Sequence, residues 1–131
     1  MNYVWTNRHI KRAELRANPQ LTYLYGDNSI HSGIGGMARE CRGEPNAVGI
    51  PTKWRPAMTL DAFFRDTDGL PTSLVAVAPR ALIESAILEA ESRGLPIVVP
   101  VGLGQGLAQM PHHCPMLYRW MCERLHRDPR P

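Results

Sequence analysis

The chain has 131 residues, of which 44% are hydrophobic and 21% charged, and this composition is typical of a folded domain rather than a disordered chain. We therefore expect a single domain over residues 1–131, with its core in residues 21–125 and a frayed tail at 127–131. The formal charge of +3 is spread over both ends of the sequence, which argues against the clustered basic face of a nucleic-acid-binding protein.

Membrane and secretory signals are absent from the sequence pattern. No apolar run approaches the roughly 18 residues of a membrane span, and the first residues lack the apolar region of a signal peptide. The three cysteines Cys41, Cys114 and Cys122 have no paired spacing, so a disulfide framework is not expected. These patterns predict a cytoplasmic protein that does not contact a membrane.

The first half of the chain alternates short strands and helices. We expect a strand at residues 3–6, a helix at 10–17 and a buried strand at 21–25, in which apolar and aromatic residues dominate. A further helix should run from about residue 36 to residue 43, and a brief strand covers 47–50. Residues 59–64 begin with a threonine that can cap a helix and continue with helical apolar spacing, so they predict another helix.

The second half contains the clearest helix. Residues 66–72 have loop composition, and residues 73–78 fit a strand or a helix equally well. Residues 79–93 combine a proline at a tolerated first-turn position with one apolar face, and a glycine follows as a C-terminal cap. A second buried strand is expected at 96–101, and a closing helix at 116–125.

Both buried strands lead into glycine-rich segments. The first glycine loop (residues 28–36) follows the strand at 21–25, and the second glycine loop (residues 102–108) follows the strand at 96–101. Glycine-rich turns beside a helix start leave backbone N–H groups for a phosphate, although a simple chain reversal is the alternative. Because ligands in open α/β sheets bind at the carboxyl ends of strands, two such loops predict a site for both ends of a pyrophosphate-containing ligand.

Three motifs in sequence order resemble the macrodomain-like family. They are GDN with GIGGMA between residues 26 and 38, GIPTKWRP at 49–56, and PVGLGQGLA at 100–108. The pattern is similar to the branch of ADP-ribose-binding and ADP-ribosyl-hydrolysing modules related to the antitoxin DarG and the terminal ADP-ribose glycohydrolase, and to small macro-like proteins of bacteriophages. The resemblance implies a compact three-layer α/β fold with helices on both sides of a mixed central sheet, trimmed at its outer strands.

The same resemblance implies roles for individual residues. Asn28 corresponds to an asparagine near the distal ribose, and Lys53 to a lysine associated with attack on the anomeric carbon. Asp27 and Asp66 are the candidates for the acidic partner of that lysine, so Lys53, Asn28 and Asp27 form the implied catalytic set. The implied ligand-binding residues are Gly26, Asp27, Asn28, Gly33, Ile34, Gly35, Gly36, Thr52, Lys53, Trp54, Arg55, Gly102, Gly104, Gln105, Gly106 and Leu107.

The chemistry of these side chains leaves alternatives open. A lysine amine whose pKa is lowered by burial, or by a cation such as Arg55, can form a Schiff base with ribose C1″, but Lys53 can equally contact phosphate. Asn28 suits ribose hydroxyls or a turn, and Asp27 accepts a hydrogen bond from adenine or ribose or caps that turn. Trp54 stacks on a base or packs into the core.

A metal site at His112, His113 and Cys114 is not expected, because adjacent histidines between prolines do not face one point, and no cofactor is expected either. The sequence favours binding of ADP-ribose or a related NAD-derived nucleotide, with hydrolysis of ADP-ribosyl links on DNA or protein as its potential activity. The rival hypothesis is a non-catalytic binding protein that sequesters a cyclic or NAD-derived nucleotide signal in phage anti-defence.

Overall fold

A single sheet of four strands forms the centre of the fold. The computed structural model describes residues 2–69 and 78–126. In the sheet the strands lie in the order β1-β4-β2-β3. Their bounds are β1 (Tyr3–Thr6), β2 (Thr22–Asp27), β3 (Ala47–Pro51) and β4 (Ile97–Pro100).

The strands of this sheet all run in the same direction. Each pairing among β1 to β4 is parallel, whereas the sequence predicts a mixed sheet. The physical reason is that the chain crosses back through a helical segment before it enters each new strand, which is what parallel pairing requires. An isolated antiparallel bridge joins Lys53 to Phe63 beyond the end of β3.

Helices cover both faces of the sheet, so the described chain forms three layers. Side chains alternate along the strands: Leu24 and Val99 face one core, while Tyr23, Tyr25 and Val98 face the other. Because helices cover both faces, the central strands β2 and β4 are buried along nearly their whole length. The helices are α1 (Arg12–Ala17), α2 (Ala38–Cys41), α3 (Ala78–Ser92), α4 (Met110–His113) and α5 (Pro115–Arg124).

The first core packs against α3, α4 and α5, and the second against α1 and α2. The apolar face predicted for residues 79–93 is confirmed, since Ile83, Ile87 and Ala90 on α3 are fully buried. Arg124 on α5 pairs with Glu84 at 2.8 Å and Glu91 at 2.9 Å, and so joins the last helix to α3. The Tyr3 hydroxyl, at the start of β1, joins the same cluster through Glu91 and Arg124.

Two predicted segments differ from the structure. Residues 59–64 form a 3₁₀ turn at Leu60–Ala62 rather than a helix, because Phe63 takes an extended backbone (φ −90°, ψ 143°) to bridge Lys53. The predicted loop at 66–72 begins with a 3₁₀ turn, Asp66–Gly69. Residues 70–72 of that predicted loop, the apolar segment 73–77 and the tail 127–131 lie outside the described residues.

Within the part of the chain that is described, no helix combines the length and the apolarity that spanning a bilayer requires.

Candidate functional site

One cleft lies at the carboxyl ends of the four parallel strands. The loops that follow Thr6, Asp27, Pro51 and Pro100, the last residues of the strands, line it together, and its volume is about 910 Å³. Hydrogen-bonded pairing between β2 and β4 covers only the first two residues of each strand. The two central strands therefore part toward their carboxyl ends, which is where open α/β sheets bind ligands.

The two glycine loops meet across this cleft. A Cβ atom placed on Gly35 would lie 3.4 Å from Leu107 Cδ1, so the first and second glycine loops are in contact. Gly33 has a φ of +92° and Gly104 a φ of +83°, values that favour glycine. A Cβ on Gly104 would also lie 2.9 Å from Met110 Sδ, so its backbone is held against the core.

Both loops carry backbone N–H groups that the protein does not use. Across residues 2–69 and 78–126, none of the amides of residues 33–36 donates a hydrogen bond, and neither do those of Gly104, Gly106 and Leu107. Other amides of the second glycine loop, such as that of Gln105, bond within the loop and hold its shape. The cleft is thus lined by two sets of backbone amides that donate to no group of the described residues, and such amides can bind anions.

Nearly all of the predicted ligand-binding residues line the cleft, and the two that do not are Trp54 and Arg55. Trp54 packs edge-on against Phe64, with ring centroids 4.9 Å apart, and its indole N–H donates to Asp68 at 3.2 Å. Arg55 pairs with Asp61 at 2.7 Å. An aromatic side chain with a nearby core partner is more stable packed than exposed, so Trp54 takes the core alternative.

Lys53 is buried, with 7% of its surface exposed, and its amine lies at the wall of the cleft. Nζ donates to the carbonyl oxygen of Ala57 at 2.5 Å and of Leu107 at 3.5 Å, and it lies 4.5 Å from the centroid of the Phe63 ring. Burial lowers the pKa of Lys53, which favours the neutral, nucleophilic amine. Of the two causes that the sequence left open, burial and a charge from Arg55, burial is the one that lowers this pKa.

Asp27 ends β2 with a carboxylate that is almost fully buried. Arg42 donates to its two oxygens at 2.6 and 3.3 Å, His31 Nδ1 lies 2.8 Å away, and the amide of Asn28 donates at 2.8 Å. Burial acts to raise the pKa of Asp27, but these hydrogen bonds outweigh it and lower the pKa. Asp27 is therefore an ionised structural anchor, and its bonding capacity is taken up within the protein.

Gly49 on β3 makes room for this carboxylate. A Cβ atom at position 49 would lie 2.5 Å from Asp27 Oδ2, closer than any side chain tolerates, so a glycine is required where the buried carboxylate crosses the neighbouring strand.

Asn28 organises the first glycine loop from inside. Its Oδ1 accepts from the amide of Ile30 at 3.2 Å and from that of Ser32 at 3.4 Å, while its Nδ2 donates to the Ser32 carbonyl at 2.7 Å. This pattern is that of an Asx turn, the second of the two alternatives left by the sequence. Asn28 nevertheless lines the cleft.

Neither candidate for the acidic partner of Lys53 contacts its amine in the described structure. Asp27 is held by Arg42 and His31, and Asp66 accepts from the amides of Met116 and Leu117 at 3.1 and 3.0 Å, which caps the start of α5. Across the described ranges, no carboxylate lies within ion-pair distance of Lys53.

The histidine pair beside Lys53 belongs to a ring stack. His113 stacks on Phe63 with centroids 4.0 Å apart, and its Nε2 lies 3.1 Å from Gln109 Oε1, while His112 meets His113 edge-on. Among residues 2–69 and 78–126, no three His, Cys, Asp or Glu side chains are grouped so that they could hold a metal ion.

Sequence reasoning missed two contributions to the cleft. The loop after β1 supplies Arg8 and His9, and the end of α2 supplies Arg42. The contribution of the loop after β1 could have been predicted, because a strand parallel to β4 must end at the edge of the sheet where β4 ends. No local pattern identified Arg42, since its role depends on Asp27, fifteen residues earlier in the chain.

We expect Asp27→Asn to lower the free energy of unfolding at pH 7 by about 2 kcal/mol, because Arg42 would lose its charged partner. A carboxylate whose pKa is lowered by folding contributes stability above the unfolded-state value of about 3.9, and this is lost as the pH falls through the folded-state pKa. Urea denaturation at pH values from 7 to 2.5 should therefore show that the free energy of unfolding falls less with decreasing pH in Asp27→Asn than in the wild type.

The control for this prediction is Asp61→Asn, which removes a carboxylate with 69% of its side chain exposed. If the free energy of unfolding of Asp27→Asn falls with decreasing pH in parallel with that of the wild type, the assigned ionisation of Asp27 is contradicted.

A comparison with known protein families matches most of the chain. A family model described as a family of unknown function (DUF7831) matches residues 5–124, which include all four strands except the first two residues of β1. No curated protein and no solved structure gives a significant match to the chain. The match covers most of the chain, and the protein belongs to the DUF7831 family.

Proposed function

We propose that the cleft binds ADP-ribose or a related NAD-derived nucleotide, with the pyrophosphate held between the two glycine loops. The observation that carries this proposal is the convergence of two sets of unused amides, from residues 33–36 and from Gly104, Gly106 and Leu107, on one cleft. Two phosphates joined by a bridging oxygen need donors on two sides, and loops from neighbouring strands supply them.

The size and lining of the cleft support a whole nucleotide rather than a free phosphate. About 910 Å³ falls within the range of roughly 300–1,000 Å³ typical of small-molecule sites. Ile34, Met58 and Leu107 line the cleft and have more than half of their surfaces exposed, so apolar surface is available for a base or a ribose face. Arg8 contributes positive charge at its wall.

Hydrolysis of an ADP-ribosyl link is the second candidate function, and the buried amine of Lys53 favours it. In this reaction Nζ displaces the leaving group from C1″ of the distal ribose, and the proton lost by the amine goes to the leaving group. Water then replaces Nζ at C1″, which regenerates the amine and releases ADP-ribose. Because burial lowers the pKa of Lys53, a larger fraction of its amine is neutral than in an exposed lysine, and the first step needs the neutral form.

A different observation favours binding without turnover. Asp27 and Asp66 are both engaged elsewhere, so the described structure pairs no carboxylate with Lys53 to act as a general acid or base. A protein of this kind would sequester a cyclic or NAD-derived signal, as in phage anti-defence, and release it unchanged.

We expect ADP-ribose to bind with measurable heat in titration calorimetry, and Gly102→Leu to lower its affinity at least about tenfold. Gly102 lines the cleft, and a Cβ there meets no atom within 4 Å, so a leucine would fill ligand space without disturbing the core. Glu123→Leu on the exposed face of α5 is the control. The absence of both heat and a thermal shift at millimolar ADP-ribose would contradict the proposed function.

A turnover assay separates the two candidate activities. With ADP-ribosylated DNA or protein as substrate, we expect release of ADP-ribose by the wild type and its loss in Lys53→Ala, because the nucleophile is removed. Lys53→Arg is the matched variant, since it keeps the charge but is not a nucleophile. Equal release by all three proteins excludes Lys53 as the nucleophile, and intact ligand recovered from denatured wild type indicates sequestration.

A further inference from the structure

Arg42 makes contacts that go beyond its ion pair with Asp27. The residue follows α2, and 23% of its side chain is exposed. Its Nε donates to the carbonyl oxygen of Gly33 at 2.9 Å, and its Nη2 donates to that of Ser32 at 3.3 Å. One guanidinium therefore holds the end of β2 and two consecutive carbonyl groups of the first glycine loop.

These two contacts, together with the bond from Asn28 Nδ2 to the Ser32 carbonyl at 2.7 Å, determine where the following amides point. In a trans peptide the C=O and the next N–H point in opposite directions, and the peptide unit is rigid. Because the Ser32 carbonyl points toward Arg42, the N–H of Gly33 points away from Arg42. The Gly33 carbonyl also points toward Arg42, so the N–H of Ile34 points away from Arg42 as well. Gly33 and Ile34 line the cleft, and within the described residues their amides donate to no protein group.

The guanidinium is itself held in place. Asp27, its ion-pair partner, is fixed by the Asn28 amide and by His31, and Gly49 leaves the room that the carboxylate needs. A Cβ on Gly33 would lie 3.1 Å from Pro56 Cβ, so Pro56 packs closely against the loop at this residue. The planar guanidinium group has five N–H donors in a fixed geometry, so it can bond the Asp27 carboxylate and both carbonyl groups at once, which a lysine amine cannot do.

We propose that Arg42 is a positioning residue, which turns the amides of Gly33 and Ile34 into the cleft and so prepares the first glycine loop for a nucleotide diphosphate. The proposal rests on the proposed function for the nature of the ligand. It adds that affinity depends on the order that Arg42 gives the loop before binding, because a loop that is already ordered avoids the cost of ordering it.

The test uses Arg42→Lys, which keeps a positive charge beside Asp27, and Arg42→Gln, which removes it. Backbone ¹⁵N relaxation of the unliganded proteins reports the order of residues 33–36, and calorimetry with ADP-ribose reports affinity. We expect order parameters near 0.85 in the wild type and below about 0.6 at Gly33 and Ile34 in both variants, with residues 104–107 unchanged. The control is Arg39→Gln, an exposed residue of α2 that does not line the cleft.

For affinity we expect a loss of about tenfold or more in Arg42→Lys, with the thermal midpoint of that variant close to the wild-type value. Wild-type order at Gly33 and Ile34 in both variants overturns the proposal, and so does ADP-ribose affinity within twofold of the wild type. A wild type that binds no ADP-ribose contradicts the proposed function alone, because the order of the loop is measured without ligand. Thermal unfolding of each variant shows that the comparison is made on folded protein.

Discussion

The buried carboxylate of Asp27 is the constraint on which the rest of the site depends. A charge at the end of a central strand, with 1% of its side chain exposed, is stable only when it is paired and hydrogen-bonded. That requirement explains a glycine at position 49 on the neighbouring strand, Arg42 after α2, and the tight turn that brings the Asn28 amide and His31 to the same group. The first glycine loop is thereby tied to the sheet at its base, while its amides remain available to the cleft.

Much of the fold was predictable because the pattern of buried residues is strong. The strands β2 and β4 were identified from continuous apolar runs, and α3 from its apolar face with Pro79 and the following glycine. Direction within the sheet was not predictable from these patterns, since a strand buried on both faces carries no local mark of its partner's orientation. The prediction of a helix at residues 59–64 was wrong for a similar reason, because the bridge between Lys53 and Phe63 is a tertiary contact that overrides helical spacing.

The site was predictable to the extent that it is made of backbone. Glycines after two buried strands indicated where loops would gather, and the parallel sheet brings them to one cleft. Side-chain roles were harder, because they depend on partners distant in sequence. The position of Trp54 depends on its contacts with Phe64 and Asp68. The pKa of Lys53 is lowered by burial and not by Arg55. The role of Arg42 follows only from its ion pair with Asp27. The resemblance to macrodomain-like proteins remains a hypothesis about the ligand.

The central claim is that amides from both glycine loops bind one anionic nucleotide. The most direct measurement is a ¹⁵N–¹H correlation titration of the wild-type protein with ADP-ribose, followed at residues 33–36 and 104–107. If one nucleotide contacts both loops, both groups of amides shift together and fit one dissociation constant, while amides at the opposite edge of the sheet, such as those of Thr22 and Ala47, do not shift. If saturating ADP-ribose changes the amide chemical shifts of one loop only, or of neither loop, the claim that both loops bind one nucleotide is contradicted.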